Sequence, residues 1–400
     1  MRRYDLVICG GGPSGHAAAR AYREARGAGT VLLVSADERL PYFRPPLSKD
    51  YLRGETADED LALDDAGWYD AHRIDVELAT AAHGFDPDAR VVLLAGESVA
   101  YGRLLLATGA EPASLPVPGG DDPSVLRLRR PIDSERIRAA GDRGSVTVVG
   151  SGFIGCEAAA SLAMRGSAVR LIGEEPLPQQ SLLGEEAGRR IAGWLLELGV
   201  ELVLGEPVRR IDEGRTVELD GGRRLSADAV VVGAGIVPNS AIAAAAGLEL
   251  ERDRIPCDAS MRTAADGVLA AGDAALAMNR AAGRRLVVQH WGEAERMGEV
   301  AGRTAAGAED VWSQAPGFWS GIGPHTLKHV AWGDGHDDVR LLDDHGPDVF
   351  AILYGREGTL VGALTSERDE VYDHARPLIE RGTSLDESTQ TLGRLVGARR

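Results

Sequence analysis

Asp5-Leu-Val-Ile-Cys-Gly-Gly-Gly-Pro-Ser-Gly15 carries an apolar strand straight into a G-x-G-x-x-G turn, with Gly10, Gly12 and Gly15 at the glycine positions. Pro13 and Ser14 open the helix that follows, and its next residues are small: Ala17, Ala18 and Ala19. A pyrophosphate reaches backbone amides only where no side chain stands in the way. The helix N-terminus then adds unpaired N–H groups and a partial positive charge. An acid for the adenosine ribose is due about 20 residues further on. A second apolar run, Thr30-Val-Leu-Leu-Val34, leads to Ala36, Asp37 and Glu38, and Asp37 is the expected ribose ligand. Strand, turn, helix, strand and acid stand in the order a dinucleotide-binding unit requires.

The plan then repeats. Val146-Thr-Val-Val-Gly-Ser-Gly-Phe-Ile-Gly155 is another strand and G-x-G-x-x-G turn, with Gly150, Gly152 and Gly155 and a helix after them. Val169-Arg-Leu-Ile172 is the return strand, and short strands are expected at 201–204 and 216–219. The first copy ends Leu104-Leu-Leu-Ala-Thr-Gly109, the second Ala229-Val-Val-Val-Gly-Ala-Gly235, so a whole unit is duplicated and two dinucleotides are implied. Asp266-Gly-Val-Leu-Ala-Ala-Gly-Asp273 is a further strand and turn, with Gly272 and Asp273 at its end. The polar–aromatic Gln289-His-Trp-Gly292 follows. From about residue 313 the composition changes. Alternating strands at 339–342, 349–354 and 360–364 and a helix near 369–381 read as a separate α+β domain.

Composition narrows the class. The chain has 400 residues, 51 of them glycine, and a net charge of −17, so nucleic acid is not an expected partner. No run of 18 apolar residues appears and the first residues lead directly into a strand, so neither a membrane span nor a signal peptide is expected and the cytoplasm is the default location. The three cysteines, Cys9, Cys156 and Cys257, form no C-x-x-C or C-x4-C pair, so no redox disulfide is available. Cys156 opens a helix, where a lowered thiol pKa is available, but its isolation favours packing. No Cys/His cluster stands at ligand spacing, and no metal is expected.

One segment stands outside this pattern. Leu40-Pro-Tyr-Phe-Arg-Pro-Pro-Leu-Ser-Lys49-Asp holds one of only two lysines among 44 basic residues. A compact ammonium kept where arginine otherwise prevails points to a need for a point charge.

With these residues together, the chain resembles the FAD- and NADH-dependent ferredoxin reductases: the putidaredoxin-, rubredoxin- and biphenyl-dioxygenase-type enzymes and the apoptosis-inducing-factor relatives. They belong to the pyridine nucleotide-disulfide oxidoreductases but lack the disulfide. The resemblance rests on both glycine turns, Pro41-Tyr-Phe-Arg-Pro-Pro-Leu-Ser-Lys49, Ala107-Thr-Gly109, Glu157, Ala271-Gly-Asp273, His290-Trp291 and Phe318-Trp-Ser320. It implies an α/β fold of two Rossmann-like, glutathione-reductase-like dinucleotide-binding domains plus a C-terminal α+β domain. FAD would lie on residues 1–112 and 235–312, NADH on 113–234, and 313–400 would form the reductase domain. Asp273 would bind the ribityl chain, and Arg44, Thr108 and Trp291 would flank the flavin. Pro46, Gly109, Gly235, Gly272, His290 and Trp319 complete the FAD expectation. Gly152, Phe153, Ile154 and Gly155 would hold the NADH pyrophosphate end, with Phe153 gating the nicotinamide. Lys49 would approach flavin N5 while paired with Glu157.

The implied activity is transfer of electrons from NADH through FAD to a ferredoxin or rubredoxin that serves an oxygenase, by a monomer or homodimer. Reduction of a small acceptor such as a quinone or radical, and redox sensing of the apoptosis-inducing-factor type, remain as alternatives. Two departures from the family bear on this. Gly173 stands where an acid usually follows the return strand, leaving Glu174 as the expected ribose ligand; the absence of arginine over 173–184 favours NADH over NADPH. The family's F-W-S-D-Q-Y becomes Phe318-Trp-Ser-Gly-Ile-Gly323.

Overall fold

Runs of four or more apolar residues buried on both faces are the mark of strands inside a parallel sheet. The computed structural model, which describes residues 1–346 and 348–397, has that arrangement twice, in an α/β fold of several sheets. The chain forms two compact units, one of residues 1–43, 61–111 and 238–318, the other of 44–60, 112–237 and 319–400.

In the first unit, Arg2–Cys9 lies between Val31–Val34 and Glu97–Leu106, parallel to both, with Ile8 level with Leu33 on one side and Leu105 on the other. Ile74–Glu77 and Val268–Ala270 extend the parallel sheet at either side. Val91–Leu94 and Ala82–Asp86 add an antiparallel edge. The helix Pro13–Glu24 packs against the helix Trp291–Ala305 through Gly298 and Gly302, where any Cβ would collide with the backbone oxygens of Ser14 and Ala18. Two glycines four apart on one helix face let the two backbones touch.

The second unit repeats the core with Glu201–Leu204, Ala168–Gly173, Ser145–Val149 and Ala229–Val232 as neighbouring parallel strands. A three-stranded antiparallel sheet, Val208–Asp212, Thr216–Leu219 and Arg224–Ser226, flanks it. The C-terminal residues build a five-stranded sheet in the order Gly317–Ile322, His325–Ala331, Thr359–Ser366, Phe350–Arg356, Asp338–Asp344. The helices Asp369–Glu380 and Leu385–Gly397 accompany it. The strands at 317–322 and 325–331 and the last helix were not expected from sequence.

Candidate active site

All segments expected to hold FAD's nucleotide end follow the carboxyl ends of adjacent strands in the first unit. Backbone bonds lock them there: Gly10 N–H to Val34 O (2.8 Å), Ala107 N–H to Cys9 O (2.9 Å) and Ala271 N–H to Leu106 O (3.1 Å). This is the end of a parallel sheet where ligands bind.

The three glycines of the first turn do three different things. Gly10 has φ +129° and its Cβ would run into Ala107 O, so only glycine fits. Gly15 sits so close to Gly10 O that a side chain there would part helix from strand. Gly12 is different: a Cβ would meet nothing within 4 Å. It is also the N-cap of a helix without a side-chain cap. The second turn matches it position by position. Gly150 (φ +110°) abuts Gly233 O, Gly155 abuts Gly150 O, and Gly152, the uncapped N-cap of Phe153–Met164, faces open space. Each turn therefore offers bare amides and clear room, the cradle a pyrophosphate needs. Both cradles fit a dinucleotide.

Around the first cradle, Asp37 accepts from Tyr42 Oη (2.9 Å) and Arg39 N–H (3.3 Å), which fixes its half-buried carboxylate. Thr108 Oγ1 donates to Asn239 O (2.7 Å), and Asn239 Nδ2 donates back to Thr108 O (3.0 Å), pinning the Thr108–Gly109 turn. Gly272 lies against Ser14. Asp273 follows it, facing the buried guanidinium of Arg254. Burial holds Arg254 below its usual range, and the charge of Asp273 opposes that shift. His290, the N-cap of its helix, stacks on Phe318 at 4.0 Å, and burial pushes its imidazole down to about 4, so the ring is neutral. Trp291 meets Phe43 edge to face at 5.1 Å.

In the second unit, Gly173 has a physical explanation. A Cβ there would lie 2.5 Å from Ser151 Oγ and 2.9 Å from its Cβ, so the serine of the glycine turn occupies the room an acid would need. Glu174 is exposed, whereas Glu175 accepts from Ser181 N–H (3.2 Å). Phe153 is partly buried against the unit's core, Ile154 is exposed, and Gly235 (φ +96°) has open space at its Cβ position. Arg44 stands at the N-cap position, without a side-chain capping bond, of the short helix Pro45–Ser48, which contains Pro46 and leads to Lys49.

Lys49 and Glu157 are both buried and paired, Nζ to Oε2, at 2.8 Å. Ser48 Oγ donates to the same oxygen (2.5 Å), and Ser320 Oγ donates to Oε1 (2.7 Å). The Trp319 ring lies 5.1 Å from the ammonium, with its outer side exposed. Such a pair persists out of water only when its remaining lone pairs are satisfied, and the two serines do that. Sequence reasoning missed Ser48, Ser320 and Asn239. Ser48 and Ser320 were visible as neighbours of Lys49 and Trp319; Asn239 carried no signal.

The cysteines are free and buried. Burial pushes Cys9 up to about 12 and raises Cys156 and Cys257 as well. Cys156 Sγ turns to Ser151 O at 3.4 Å, a packing role despite its place at a helix start. Among the described residues no group of His, Cys, Asp or Glu is arranged to hold a metal, and no helix is long and apolar enough to cross a membrane.

Two glycine turns with room for a pyrophosphate, and a buried ammonium–carboxylate pair in the unit that carries the second, are features that fit a dinucleotide-dependent oxidoreductase. Comparison with known proteins narrows the class: residues 4–298 match the pyridine nucleotide-disulphide oxidoreductase family, to which this chain belongs and whose members bind FAD and NAD(H). The chain is 33% identical over 395 residues to the anthranilate 1,2-dioxygenase system ferredoxin–NAD(+) reductase component of Burkholderia cepacia, covering 96% of each chain. It is 33% identical over 381 residues to rhodocoxin reductase of Rhodococcus erythropolis, covering 94% of this chain and 89% of that one. Among solved structures it is similar to the covalent putidaredoxin reductase–putidaredoxin complex, with a TM-score of 0.91, 26% identity, and coverage of 98% and 95%. The homologues are thus ferredoxin and rubredoxin reductases of the putidaredoxin-reductase type.

Proposed function

We propose that this protein takes hydride from NADH and passes the electrons, through FAD, to a small iron–sulfur protein of the ferredoxin or rubredoxin kind that serves an oxygenase. The observation that carries the reading is the pair of glycine turns whose middle glycines, Gly12 and Gly152, both face open space at an uncapped helix start. FAD belongs on residues 1–112 and 235–312, NADH on 113–234, and residues 313–400 form the reductase's C-terminal domain. Bound FAD supplies the chemistry that accepts two electrons together and releases them singly.

The chain's residues set alignment and charge. Bare amides at Gly12 and Gly152 hold the two pyrophosphates. Asp37 and Asp273 accept hydroxyls of the FAD ribose and ribityl chain, and Arg44, Thr108, His290, Trp291 and Trp319 wall the flavin. Phe153 and Ile154 border the nicotinamide, and Glu174 takes the ribose of NADH. No arginine lies within 173–184 to receive a 2′-phosphate, which favours NADH over NADPH. Lys49 counters the negative charge that reduction brings, and Glu157 keeps the buried ammonium tolerable. The three cysteines are free and buried, so no thiol pair offers an onward path for the electrons.

The test mixes NADH-reduced protein anaerobically with ferredoxin, rubredoxin or a soluble quinone. Reduction of an iron–sulfur protein at a rate that sustains turnover is the expected result. Reduction of the quinone alone would make this a small-acceptor reductase, and a long-lived reduced state inert to all three would make it a sensor.

A further inference from the structure

Three consecutive residues of the C-terminal strand Gly317–Ile322 touch the Lys49–Glu157 pair in three different ways. Trp319 places its ring 5.1 Å from Nζ, Ser320 donates to Glu157 Oε1 at 2.7 Å, and Gly321 leaves room for the lysine stem, since a Cβ there would lie 3.1 Å from Lys49 Cδ. We propose that this strand aims Lys49 and that Ser320 is the positioning residue: by holding Oε1 of Glu157, it fixes Oε2 as the oxygen that faces the ammonium. The proposal rests on the reading of Lys49 given above and adds the device that orients it.

An ammonium has three N–H bonds. Its two acceptors, Glu157 Oε2 at 2.8 Å and Ser48 Oγ at 3.3 Å, lie only 2.5 Å from each other, so both sit on one side of the ammonium and set the direction in which its remaining N–H bonds point away from them. That direction depends on the orientation of the carboxylate plane. Oε2 is held by Ser48 and Lys49, and Oε1 by Ser320. Ser320 is 1% exposed and Glu157 3%, so water does not stand ready to replace a lost hydroxyl. Without that donor, Oε1 is a buried acceptor with an unmet bond, and turning the carboxylate toward Lys49 or Ser48 is its one remedy. The ammonium follows and its outward N–H bonds swing. Gly321 matters for the same reason, because an acid at this place would set a second carboxylate against the lysine and compete for it.

The holoenzyme permits a direct test because it has two lysines, Lys49 and Lys328. Lysine labelled with 15N at Nζ gives two ammonium signals, assigned with Lys328→Arg. Ser320→Ala, Ser320→Cys (similar volume, weak donor) and Ser320→Thr (donor kept) are compared with wild type for that signal and for the single-turnover rate of flavin bleaching by NADH. The expected result is that Ala and Cys shift or broaden the Lys49 signal and slow bleaching about tenfold, the scale of one hydrogen bond to a charged group, while Thr restores both. A Lys49 signal and rate unchanged in Ala and Cys, or equal impairment in Thr, overturns the proposal. Lys49→Met separates the two levels. If it slows bleaching while the Ser320 variants do not, the role of Lys49 stands and Ser320 is not its positioning residue. If it bleaches at the wild-type rate, the role of Lys49 falls, and the ammonium signal alone still decides whether Ser320 positions it.

Discussion

Lys49→Met gives a folded, yellow protein that takes hydride from NADH about a hundred- to a thousandfold more slowly than wild type, the usual cost of losing one preorganised charge at a reacting centre. The flavin stays because the cradle at Gly10–Gly15 belongs to other elements than the short helix Pro45–Ser48 that delivers Lys49. The substitution also leaves Glu157 as a buried carboxylate without its cation, a loss of about 3–5 kcal/mol. Stopped-flow bleaching and thermal unfolding therefore both move in the single variant. Lys49→Met combined with Glu157→Gln separates them: stability returns toward wild type while the rate stays low. If the double variant regained the rate, Lys49 would matter only for folding.

Gly152→Asp is expected to have an effect as large on a different quantity. Gly152 has φ −71° and ψ 179°, extended backbone that any residue adopts, and its Cβ position is open, so the fold accepts a side chain. Aspartate is a good helix N-cap in its own right. Its carboxylate, however, occupies the room kept for a pyrophosphate. Two like charges about 4 Å apart near a protein surface repel by about 4 kcal/mol. NADH affinity should fall on the order of a hundred- to a thousandfold, with FAD retained and dithionite still able to reduce it. Gly12→Asp is the mirror experiment and should give a colourless protein. If Gly152→Asp bound NADH normally, the second turn would not be a cofactor cradle.

Much of this was legible in the sequence because the physics there is local. Val31–Val34 and Ala229–Val232 are apolar on both faces, so they read as inner parallel strands, and the glycine turns follow such strands directly. The second half of the C-terminal sheet was legible for a related reason: Phe350–Arg356 and Thr359–Ser366 are largely buried and read as apolar runs. The first half was not. Gly317–Ile322 mixes glycine and serine with its apolar residues because Ser320 and Gly321 face the Lys49–Glu157 pair instead of an ordinary core, and His325–Ala331 carries His325 and Lys328, which meet Asp348 and Asp369. The helix Leu385–Gly397 did have a signal: Ser384-Leu-Asp-Glu387 is an S-x-x-E capping sequence, and Ser384 Oγ accepts from Glu387 N–H (3.3 Å). At the candidate site, Lys49 stood out by its rarity and Glu157 through resemblance. What could not be read was the serine pair that satisfies Glu157, because nothing in a lone serine tells whether its hydroxyl meets water or a buried carboxylate.

On this reading the chain holds two dinucleotides and moves hydride from one to the other. Anaerobic titration of the purified protein with NADH, followed at the flavin absorbance, measures that directly. The expected result is a yellow protein that one equivalent of NADH bleaches within the dead time of manual mixing, with NADPH much slower. A polypeptide that stays colourless after reconstitution with FAD, or a yellow one that neither nucleotide bleaches, would contradict it.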